Sequence, residues 1–298
     1  MQVVLTGAHG QLGMSLLPYL ERHGEVTALT RADCDLSSPD AIRKMMAELR
    51  PEVVVNAAAY TQVNDAETNR EAAYALNCTA PATLAAEARR TGAMFVHYST
   101  DYVFDGRQPG EYTESDEPAP LNVYGASKLA GERAVAEAGG RFLILRTSWV
   151  YSATGTNFLL TIRRLASERE ELKIVDDQVG SPTSSAQLAR ATEELIRQYA
   201  SHKTSTFPSG LYHATAAGSV SWYGFARAIV DALQAHESLK VKNILPIASS
   251  DFPTPTRRPL NSVLSNGKFE RTFGFRLANW KTGLAEIVKE ITTREAKS

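Results

Sequence analysis

Two residues four positions apart, Tyr124 and Lys128, have the types and the spacing that proton transfer needs. The segment around them is predicted to be helical, and residues i and i+4 share one helix face, so both side chains can point into one pocket. A free tyrosine has a pKa of about 10, which is too high for efficient catalysis near neutral pH. A nearby cation favours the phenolate, so Lys128 is expected to lower the pKa of Tyr124. Such pairs also occur by chance on exposed helices, so other elements must support this interpretation.

A hydroxyl group that could complete this pair belongs to Thr100, in the segment 98–106 that follows a predicted strand. Ligands of open α/β sheets bind at the carboxyl edge of the strands, which is where this segment is expected to lie. The Thr100 hydroxyl could hydrogen-bond a substrate carbonyl while hydride adds at the carbon and Tyr124 protonates the oxygen. Ser99 is the alternative hydroxyl, although it could instead serve the turn.

A glycine-rich loop at the N-terminus indicates a bound dinucleotide. Gly7, Gly10 and Gly13 stand between the first predicted strand and the first predicted helix. The first glycine suits a tight turn, the second lets the backbone approach a pyrophosphate, and the third lets the helix pack closely on the sheet. Free N–H groups at the helix start then face the phosphates. His9 is expected to be a loop residue that faces the cofactor.

The end of the second predicted strand bears on the choice between NADPH and NADH. An acidic residue there would bind the ribose 2′-hydroxyl of NAD, but this chain has Thr30 and Arg31 at that place. A guanidinium group can pair with the 2′-phosphate of NADP, so Arg31 favours NADPH, with NADH as the alternative. Asp35 and Leu36 are expected to lie beside the adenine.

Short apolar runs that alternate with helical patterns must position these residues. The first 150 residues contain five predicted strands, at 3–5, 26–29, 53–56, 94–98 and 142–146. Predicted helices lie between them at 11–23, 40–49, 69–91 with an interruption near Pro81, and 123–138. Continuous apolar strands separated by helices indicate a parallel sheet covered on both faces. The sequence therefore predicts an α/β fold with a doubly wound parallel sheet of Rossmann type.

The pattern loosens after residue 150, which favours a smaller C-terminal substrate-binding lobe. Polar and turn-forming stretches at 152–156 and 176–185 precede a predicted helix at 187–199, and a strand at 211–214 could return to the first sheet. Helices are predicted at 221–235 and 281–291, with an extended proline-rich loop at 251–259. The expected division assigns 1–150 and about 185–215 to dinucleotide binding, and about 151–184 and 216–298 to substrate binding.

Composition excludes several classes of function. The net charge of −1 argues against a nucleic-acid-binding surface. The N-terminal apolar run is too short for a signal peptide, and no stretch is long enough to span a bilayer, so a soluble, cytoplasmic protein is expected. Cys34 and Cys78 are expected to be free thiols in a reducing compartment. Cys78 and His97 are candidates for a second acid or base, although packing roles suit both better.

These motifs occur together in a known family. The matching segments are 55–61 (VNAAAYT), 97–104 (HYSTDYVF), 120–125 (PLNVYG), 128–132 (KLAGE), 146–151 (RTSWVY), 177–183 (DQVGSPT) and 210–213 (GLYH). The chain resembles the extended short-chain dehydrogenase/reductases, and most closely their dTDP-4-dehydrorhamnose reductase subfamily. The resemblance covers nearly the whole chain. It implies reduction of the C4 ketone of dTDP-4-dehydro-L-rhamnose, with hydride from NADPH or NADH.

The resemblance also implies a role for individual residues. Tyr124 would be the proton donor, Lys128 its partner on the cofactor, and Thr100 the group that polarises the C4 carbonyl. The residues expected to contact the dinucleotide by this resemblance are Gly10, Gln11, Leu12, Asp35, Leu36, Ala59, Tyr60 and Thr61. Asp101 and Trp149 would contact the sugar. Trp149 could also be a core aromatic residue. Arg257 and Arg258 are candidates to approach the substrate pyrophosphate, one of them being surface charge only.

One departure from the family concerns metal binding. Members can form a dimer bridged by magnesium through a cluster of glutamates, and at the corresponding places this chain has Ser15, Ala186 and Glu290. A hard cation needs several oxygen ligands, so no magnesium site is expected, and a monomer or weak homodimer follows. Two alternatives remain open. One is a non-catalytic, nucleotide-binding regulatory subunit; the other is a reductase or epimerase of another nucleotide-deoxysugar.

Overall fold

A parallel sheet of six strands forms the centre of the protein, whose computed structural model describes residues 1–201 and 207–295. The strands of the sheet and of the smaller ladders are β1 (Gln2–Thr6), β2 (Glu25–Leu29), β3 (Val53–Asn56), β4 (Met94–Thr100), β5 (Arg141–Thr147), β6 (Val150–Tyr151), β7 (Glu171–Val175), β8 (Val179–Gly180), β9 (Thr183–Ser184), β10 (Gly210–His213), β11 (Val220–Ser221) and β12 (Asn243–Ile247). The helices are α1 (Gln11–Leu20), α2 (Pro39–Leu49), α3 (Arg70–Tyr74), α4 (Ala80–Thr91), α5 (Val123–Ala138), α6 (Phe158–Glu168), α7 (Ser185–Ser201), α8 (Trp222–Gln234), α9 (Gly267–Phe273) and α10 (Trp280–Glu295).

The strand order of the main sheet is β10-β5-β4-β3-β1-β2, and every pair in it is parallel. The order reverses between β1 and β3, because the chain first builds outward to β2 and then crosses to the other side of β1. Ligands of such sheets bind in the crevice at this reversal. The predicted doubly wound α/β fold is confirmed, and so is the return of a strand near residue 211 to the sheet.

Apolar residues cover both faces of this sheet, which explains why its strands read as continuous hydrophobic runs. Leu5, Val55 and Val96 lie in a cluster on one face together with residues of α1 and α7. Val4 and Val54 lie in a second cluster, with residues of α2 and α4. Alternate residues of one strand therefore serve opposite layers of helices.

The helical segment between β3 and β4 differs from its prediction. An interruption was expected near Pro81, but the turn Ala75–Thr79 is π-helical and joins α3 directly to α4. Pro81 lies in the first turn of α4, where the missing N–H costs nothing. The extra residue in the π-turn changes which side chains face the centre of the protein, and it places Asn77 inside.

Elements after β5 build a separate hydrophobic cluster. Residues of α6, α8 and α10, including Ile162, Phe225 and Ile287, pack together in it. Phe269 and Phe273 of α9 instead lie in the cluster of the main sheet. The predicted division at 151–184 and 216–298 stays a prediction, and its residues 202–206 and 296–298 lie outside the described part of the chain.

Several boundaries and elements differ from expectation. The first helix ends at Leu20 and continues as a 3₁₀ turn over Glu21–His23. Helix α6, helix α9 and the parallel pair of β7 with β12 were not predicted. β7 and β12 are far apart in sequence and half exposed, so neither has the strong alternation that marks a strand. The predicted loop 251–259 begins with the last residue of a 3₁₀ turn, Ser249–Asp251, and its remaining residues 252–259 have no regular structure, as the prolines predict. No described helix is both long and apolar enough to span a membrane.

Candidate active site

A cleft of about 960 Å³ opens at the carboxyl edge of the main sheet, where β1, β3, β4 and β5 end. Nearly all predicted site residues line it. They are Gly7, Gly10, Gln11, Leu12, Arg31, Asp35, Leu36, Ala59, Tyr60, Thr61, Thr100, Asp101, Tyr124, Lys128 and Trp149. Gly13 is the exception, since it is buried beneath the loop. The chain thus brings residues from Gly7 to Trp149 to one crevice.

The glycine loop has the shape that a dinucleotide phosphate requires. Gly7 has a φ of +70°, and a Cβ there would come within 2.6 Å of the Ala58 backbone nitrogen. A Cβ on Gly13 would overlap the carbonyl oxygen of Gly7, so only glycine lets α1 start this close to the strand. Gly10 caps α1 without a side-chain hydrogen bond, which leaves the first N–H groups of the helix facing the cleft. These residues fit a bound pyrophosphate.

Gln11 connects this loop to the strand-to-helix segment 152–157, which we call the strap. Its Nε2 donates to the carbonyl oxygen of Thr156 at 3.1 Å. Its Oε1 accepts from Ser152 Oγ at 3.1 Å and from Asn157 Nδ2 at 2.9 Å. Asn157 is also the N-cap of α6, where its Oδ1 accepts from the Leu160 N–H. The start of the cofactor helix is therefore tied to the start of a C-terminal helix.

The segment after β2 places Arg31 at the cleft, while Asp33 and Asp35 accept hydrogen bonds from residues of the same segment. Arg31 is exposed and lines the cleft. Asp33 accepts hydrogen bonds from the N–H and hydroxyl of Thr30, which lowers the pKa of its carboxyl. Asp35 lines the cleft too, and Ser37 holds one of its oxygens and lowers its pKa. The cleft lining at this strand end therefore contains both the Arg31 guanidinium and the Asp35 carboxylate.

Two glycines allow α5 to approach its neighbours closely. A Cβ on Gly125 would overlap the carbonyl oxygen of Tyr102, and one on Gly131 would overlap the carbonyl oxygen of Asn77. Asn122 caps the helix, accepting from the Gly125 N–H at 2.8 Å. These contacts fix the height and rotation of the helix that carries Tyr124 and Lys128.

Asn77 is a site-forming residue that the sequence did not reveal. It is fully buried on the π-turn, and its Oδ1 accepts from the Tyr60 N–H at 2.8 Å. Its Nδ2 donates to the carbonyl oxygen of Tyr60 and to Ser127 Oγ, both at 3.0 Å. One amide thus holds the loop after β3 against α5. A polar residue within an otherwise helical pattern was the available signal.

Lys128 is buried below Tyr124, and its Nζ donates to the carbonyl oxygen of Tyr98 at 2.6 Å. Burial lowers the pKa of Lys128 to about 8, against the opposing effect of Glu132. The expected lowering of the Tyr124 pKa by this lysine is wrong for the ligand-free protein. Burial instead raises the pKa of Tyr124 to about 12, and a hydrogen bond with Thr100 opposes the rise.

Of the buried polar side-chain atoms that lack a hydrogen-bond partner in the described part of the chain, three belong to residues that line the cleft. They are Ser99 Oγ, Asp101 Oδ2 and Thr147 Oγ1. Buried polar atoms are rarely left unpaired in native proteins, so these atoms mark where a ligand supplies partners. Burial raises the pKa of Asp101 to about 6, and the nearby hydroxyls of Ser262 and Thr100 oppose the rise.

Trp149 lies at the cleft in a stack of aromatic rings rather than in the core. Its ring is 3.4 Å from that of Trp222, with an interplanar angle of 4°. Gly180 also lies close to the Trp149 ring, since a Cβ on this glycine would come within 2.5 Å of it. Trp149 has a φ of +48°, which is strained for a residue with a side chain. Trp222 also lines the cleft and was not predicted.

The remaining candidates lie outside the cleft lining. Arg257 is exposed and its carbonyl oxygen accepts from Asn122 Nδ2 at 2.9 Å. Arg258 is partly buried beside Tyr102, and its charge opposes the rise in the pKa of that phenol. His97 is buried, contacts Asn56 at 3.0 Å and has a lowered pKa because of burial. Cys78 is half-buried, and burial raises the pKa of its thiol. Both therefore have packing roles.

The positions considered for magnesium carry other contacts. Ser15 Oγ lies 2.7 Å from Ser185 Oγ, and Glu290 pairs with Arg294 at 2.6 Å. Ala186 packs against the C-terminal hydrophobic cluster. Within residues 1–201 and 207–295, no three His, Cys, Asp or Glu side chains form a group that could hold a metal ion.

Comparison with known proteins places this geometry in context. A family model described as the RmlD substrate binding domain matches residues 1–293. The dTDP-4-dehydrorhamnose reductase of Burkholderia thailandensis is 46% identical over 298 residues, covering 99% of this chain and 100% of that protein. The reductase of the same name from Escherichia coli K12 is 40% identical over 301 residues, covering 99% and 100%. A crystal structure of dTDP-4-dehydrorhamnose reductase from Bacillus anthracis in complex with NADP superposes with a TM-score of 0.90 at 36% identity, covering 97% and 99%.

Proposed function

The chain belongs to the RmlD substrate binding domain family of dTDP-4-dehydrorhamnose reductases, and we propose that its cleft reduces the C4 ketone of dTDP-4-dehydro-L-rhamnose to give dTDP-L-rhamnose. The protein is an oxidoreductase of nucleotide-sugar metabolism, in the biosynthesis of dTDP-rhamnose. Its cofactor is NADPH, with NADH possible. When bound, the reduced nicotinamide supplies the hydride for the carbonyl carbon.

The protein's own residues supply the proton and the orientation. Tyr124 donates its phenolic proton to the C4 oxygen as negative charge develops there. Its raised pKa keeps the phenol protonated at neutral pH, which is the form that a donor needs. Thr100 hydrogen-bonds the same oxygen, and Lys128, held by the carbonyl of Tyr98, contacts the cofactor with a donor group.

The other residues divide between the two ligands. Residues 1–150 and about 185–215 bind the dinucleotide, and about 151–184 and 216–298 form the substrate lobe. Gly7, Gly10, Gln11 and Leu12 hold the pyrophosphate, Gly13 lets the cofactor helix pack closely beneath the loop, and Arg31 favours the 2′-phosphate of NADPH. Asp35, Leu36, Ala59, Tyr60 and Thr61 complete the cofactor side, while Asp101 and Trp149 contact the sugar. The separate C-terminal hydrophobic cluster supports this division.

One observation carries the proposal. Tyr124, Thr100 and Lys128 line the same cleft, together with three residues that have a buried polar side-chain atom without a hydrogen-bond partner in the described part of the chain. A non-catalytic regulatory subunit would not need an intact proton donor, a hydroxyl bonded to it and a buried lysine together. An epimerase or dehydratase needs further acid–base groups, and of the candidates His97 and Cys78 neither lines the cleft.

The test is an NADPH-oxidation assay with dTDP-4-dehydro-L-rhamnose beside its UDP- and GDP-linked analogues. We expect oxidation to be fastest with the dTDP compound, and Tyr124→Phe to lose more than about 100-fold in kcat while it still binds NADPH. Tyr19→Phe, on the far side of α1, is the matched control and should be fully active. Full activity of Tyr124→Phe would exclude the assigned donor, and inactivity of the wild-type enzyme with every ketone would favour the regulatory subunit.

The proposal includes a cytoplasmic location and an assembly no larger than a weak homodimer. Cys34 and Cys78 are unpaired thiols in the described residues, which supports a reducing, cytoplasmic compartment. The contacts made by Ser15 and Glu290 support a monomer or weak homodimer that does not depend on magnesium. Sedimentation in magnesium and in EDTA tests this, since a stable dimer lost on chelation contradicts it.

A further inference from the structure

The Thr100 hydroxyl has more partners than hydrogen atoms. It accepts from the Tyr102 N–H at 3.2 Å and donates to Asp101 Oδ1 at 3.0 Å, and it lies near the Tyr124 phenol, where it opposes the rise in the pKa of that group. A threonine hydroxyl has one hydrogen to donate and two lone pairs that accept. While Thr100 donates to an ionised Asp101, it has no hydrogen left for a substrate carbonyl. The carboxylate therefore competes with the substrate.

The buried surroundings of Asp101 favour the protonated form of its carboxyl. Its residue is 2% exposed, and its second oxygen, Oδ2, is buried and without a hydrogen-bond partner in the described part of the chain. A buried carboxylate with an unpaired oxygen is costly, whereas the neutral acid is tolerated and gains an O–H donor. Burial raises the pKa of Asp101 to about 6, which is consistent with that preference.

We propose that Asp101 acts as a neutral acid that donates to Thr100 and thereby turns the Thr100 hydroxyl towards the substrate carbonyl. This rests on the proposed function, in which Thr100 hydrogen-bonds the C4 oxygen. Asp101 contacts the sugar in the proposed function, and for the reduction step it acts as a positioning residue, because no covalent bond of the substrate breaks or forms at its carboxyl. When Asp101 ionises, the Thr100 hydroxyl donates its hydrogen to the Asp101 carboxylate instead of to the substrate. Tyr124 is then the sole hydrogen-bond donor of this group to the substrate carbonyl.

The charged and titratable groups around Asp101 are few. The phenols of Tyr102 and Tyr124 face Asp101. The negative charge of an ionised Asp101 contributes to the raised pKa of each phenol. Ser262 adds a hydroxyl from the C-terminal side. Arg258 lies beside Tyr102, and its charge opposes the rise in the pKa of that phenol. Lys128 also titrates in this site, with a pKa that burial lowers to about 8, so the comparison with Asp101→Asn and not the wild-type profile alone identifies Asp101.

The pH profile of Asp101→Asn tests the proposal. The carboxamide has an N–H group that can donate to Thr100 at every pH, so it imitates the neutral acid. For the wild-type enzyme we expect kcat/KM to fall about threefold to tenfold between about pH 5.5 and 7.5, as the acid ionises. For Asp101→Asn it should stay level over that range, and exposed Asp40→Asn should follow the wild-type profile.

Two results would overturn the proposal. One is the same decline in wild-type and Asp101→Asn; the other is an Asp101→Asn protein that binds NADPH yet is inactive at every pH. Absence of reduction by the wild-type enzyme would instead overturn the proposed function. Infrared difference spectra of the wild-type protein without ligand then test whether Asp101 is protonated. This measurement remains available if the Asp101→Asn variant does not fold. The carbonyl band of a protonated carboxyl should persist above pH 5, and its absence there refutes a neutral Asp101.

Discussion

The backbone carbonyl oxygen of Asn77 lies against the Cα of Gly131, in the space that a Cβ would need. This contact joins the π-turn to α5, the helix of Tyr124 and Lys128. It lies one helical turn from Lys128 and on the same side as the hydrogen bond from Asn77 to Ser127. The position of the catalytic helix thus depends on the lack of a side chain at one residue.

Gly131→Ala should therefore move α5 and lower activity with little change in secondary structure. We expect a loss of about 1–3 kcal/mol in the free energy of unfolding from overpacking, and a larger proportional loss in kcat than in NADPH affinity. Urea unfolding and steady-state kinetics measure the two effects. Gly110→Ala is the matched control, because nothing lies within 4 Å of its Cβ. Equal effects of the two substitutions would contradict the assigned role of Gly131.

Gln11→Ala should release the strap from the glycine loop. Three side-chain hydrogen bonds link Gln11 to Ser152, Thr156 and Asn157, and their loss should speed dissociation of NADPH by about tenfold. Stopped-flow displacement, followed by cofactor fluorescence, measures this rate. The exposed Gln234→Ala, at the end of α8, should leave it unchanged. An unaltered dissociation rate in Gln11→Ala would show that the strap does not retain the cofactor.

Arg31→Ala should reduce the preference for NADPH. A hydrogen bond to a charged group contributes roughly 1.5 kcal/mol, so we expect the Kd of NADPH to rise about tenfold while that of NADH barely changes. Fluorescence titration with both cofactors gives the ratio. Arg43→Ala removes an equally exposed arginine that pairs with Asp40, and it should leave the ratio as it is. A parallel rise for both cofactors would mean that Arg31 does not recognise the 2′-phosphate.

The buried pair of Glu132 with Arg146 should dominate the stability of the contact between α5 and β5. Arg146 binds both carboxylate oxygens, at 2.9 and 2.6 Å, and the two side chains are 5% and 2% exposed. Glu132→Ala leaves a buried unpaired cation and should cost about 3–5 kcal/mol, measured by urea unfolding. Glu168→Ala, in an exposed pair with Arg164, should cost less than about 1 kcal/mol. A Glu132→Met, Arg146→Met double variant should recover most of the lost stability.

Features that depend on neighbouring residues in the sequence were predictable. The glycine loop follows a strand and opens a helix, so Gly7 and Gly10 could be placed before any contact was known. The spacing of Tyr124 and Lys128 defines a helix face in the same way. The prolines of 252–259 remove backbone donors locally, and the absence of regular structure follows directly.

Features that depend on contacts between distant segments could not be predicted from the sequence. Asn77 reaches Tyr60 and Ser127 only because a π-turn shifts the helix by one residue, and helical periodicity carries no sign of that shift. Trp222 joins the cleft through its stacking on Trp149. The pKa of Tyr124 was predicted in the wrong direction because the spacing to Lys128 shows the cation but not the burial, and burial dominates.

The outermost strand of the main sheet has a consequence for synthesis of the chain. β10 pairs with β5, but the ribosome makes it only after α6, β7 and α7. Until then the nascent protein presents an unpaired strand edge built from Leu143, Ile144 and Leu145, which is a template for aggregation. Ribosome-bound chains that stop before Gly210 should therefore need chaperones more than chains that include it, although the glycine loop and the catalytic helix are already complete.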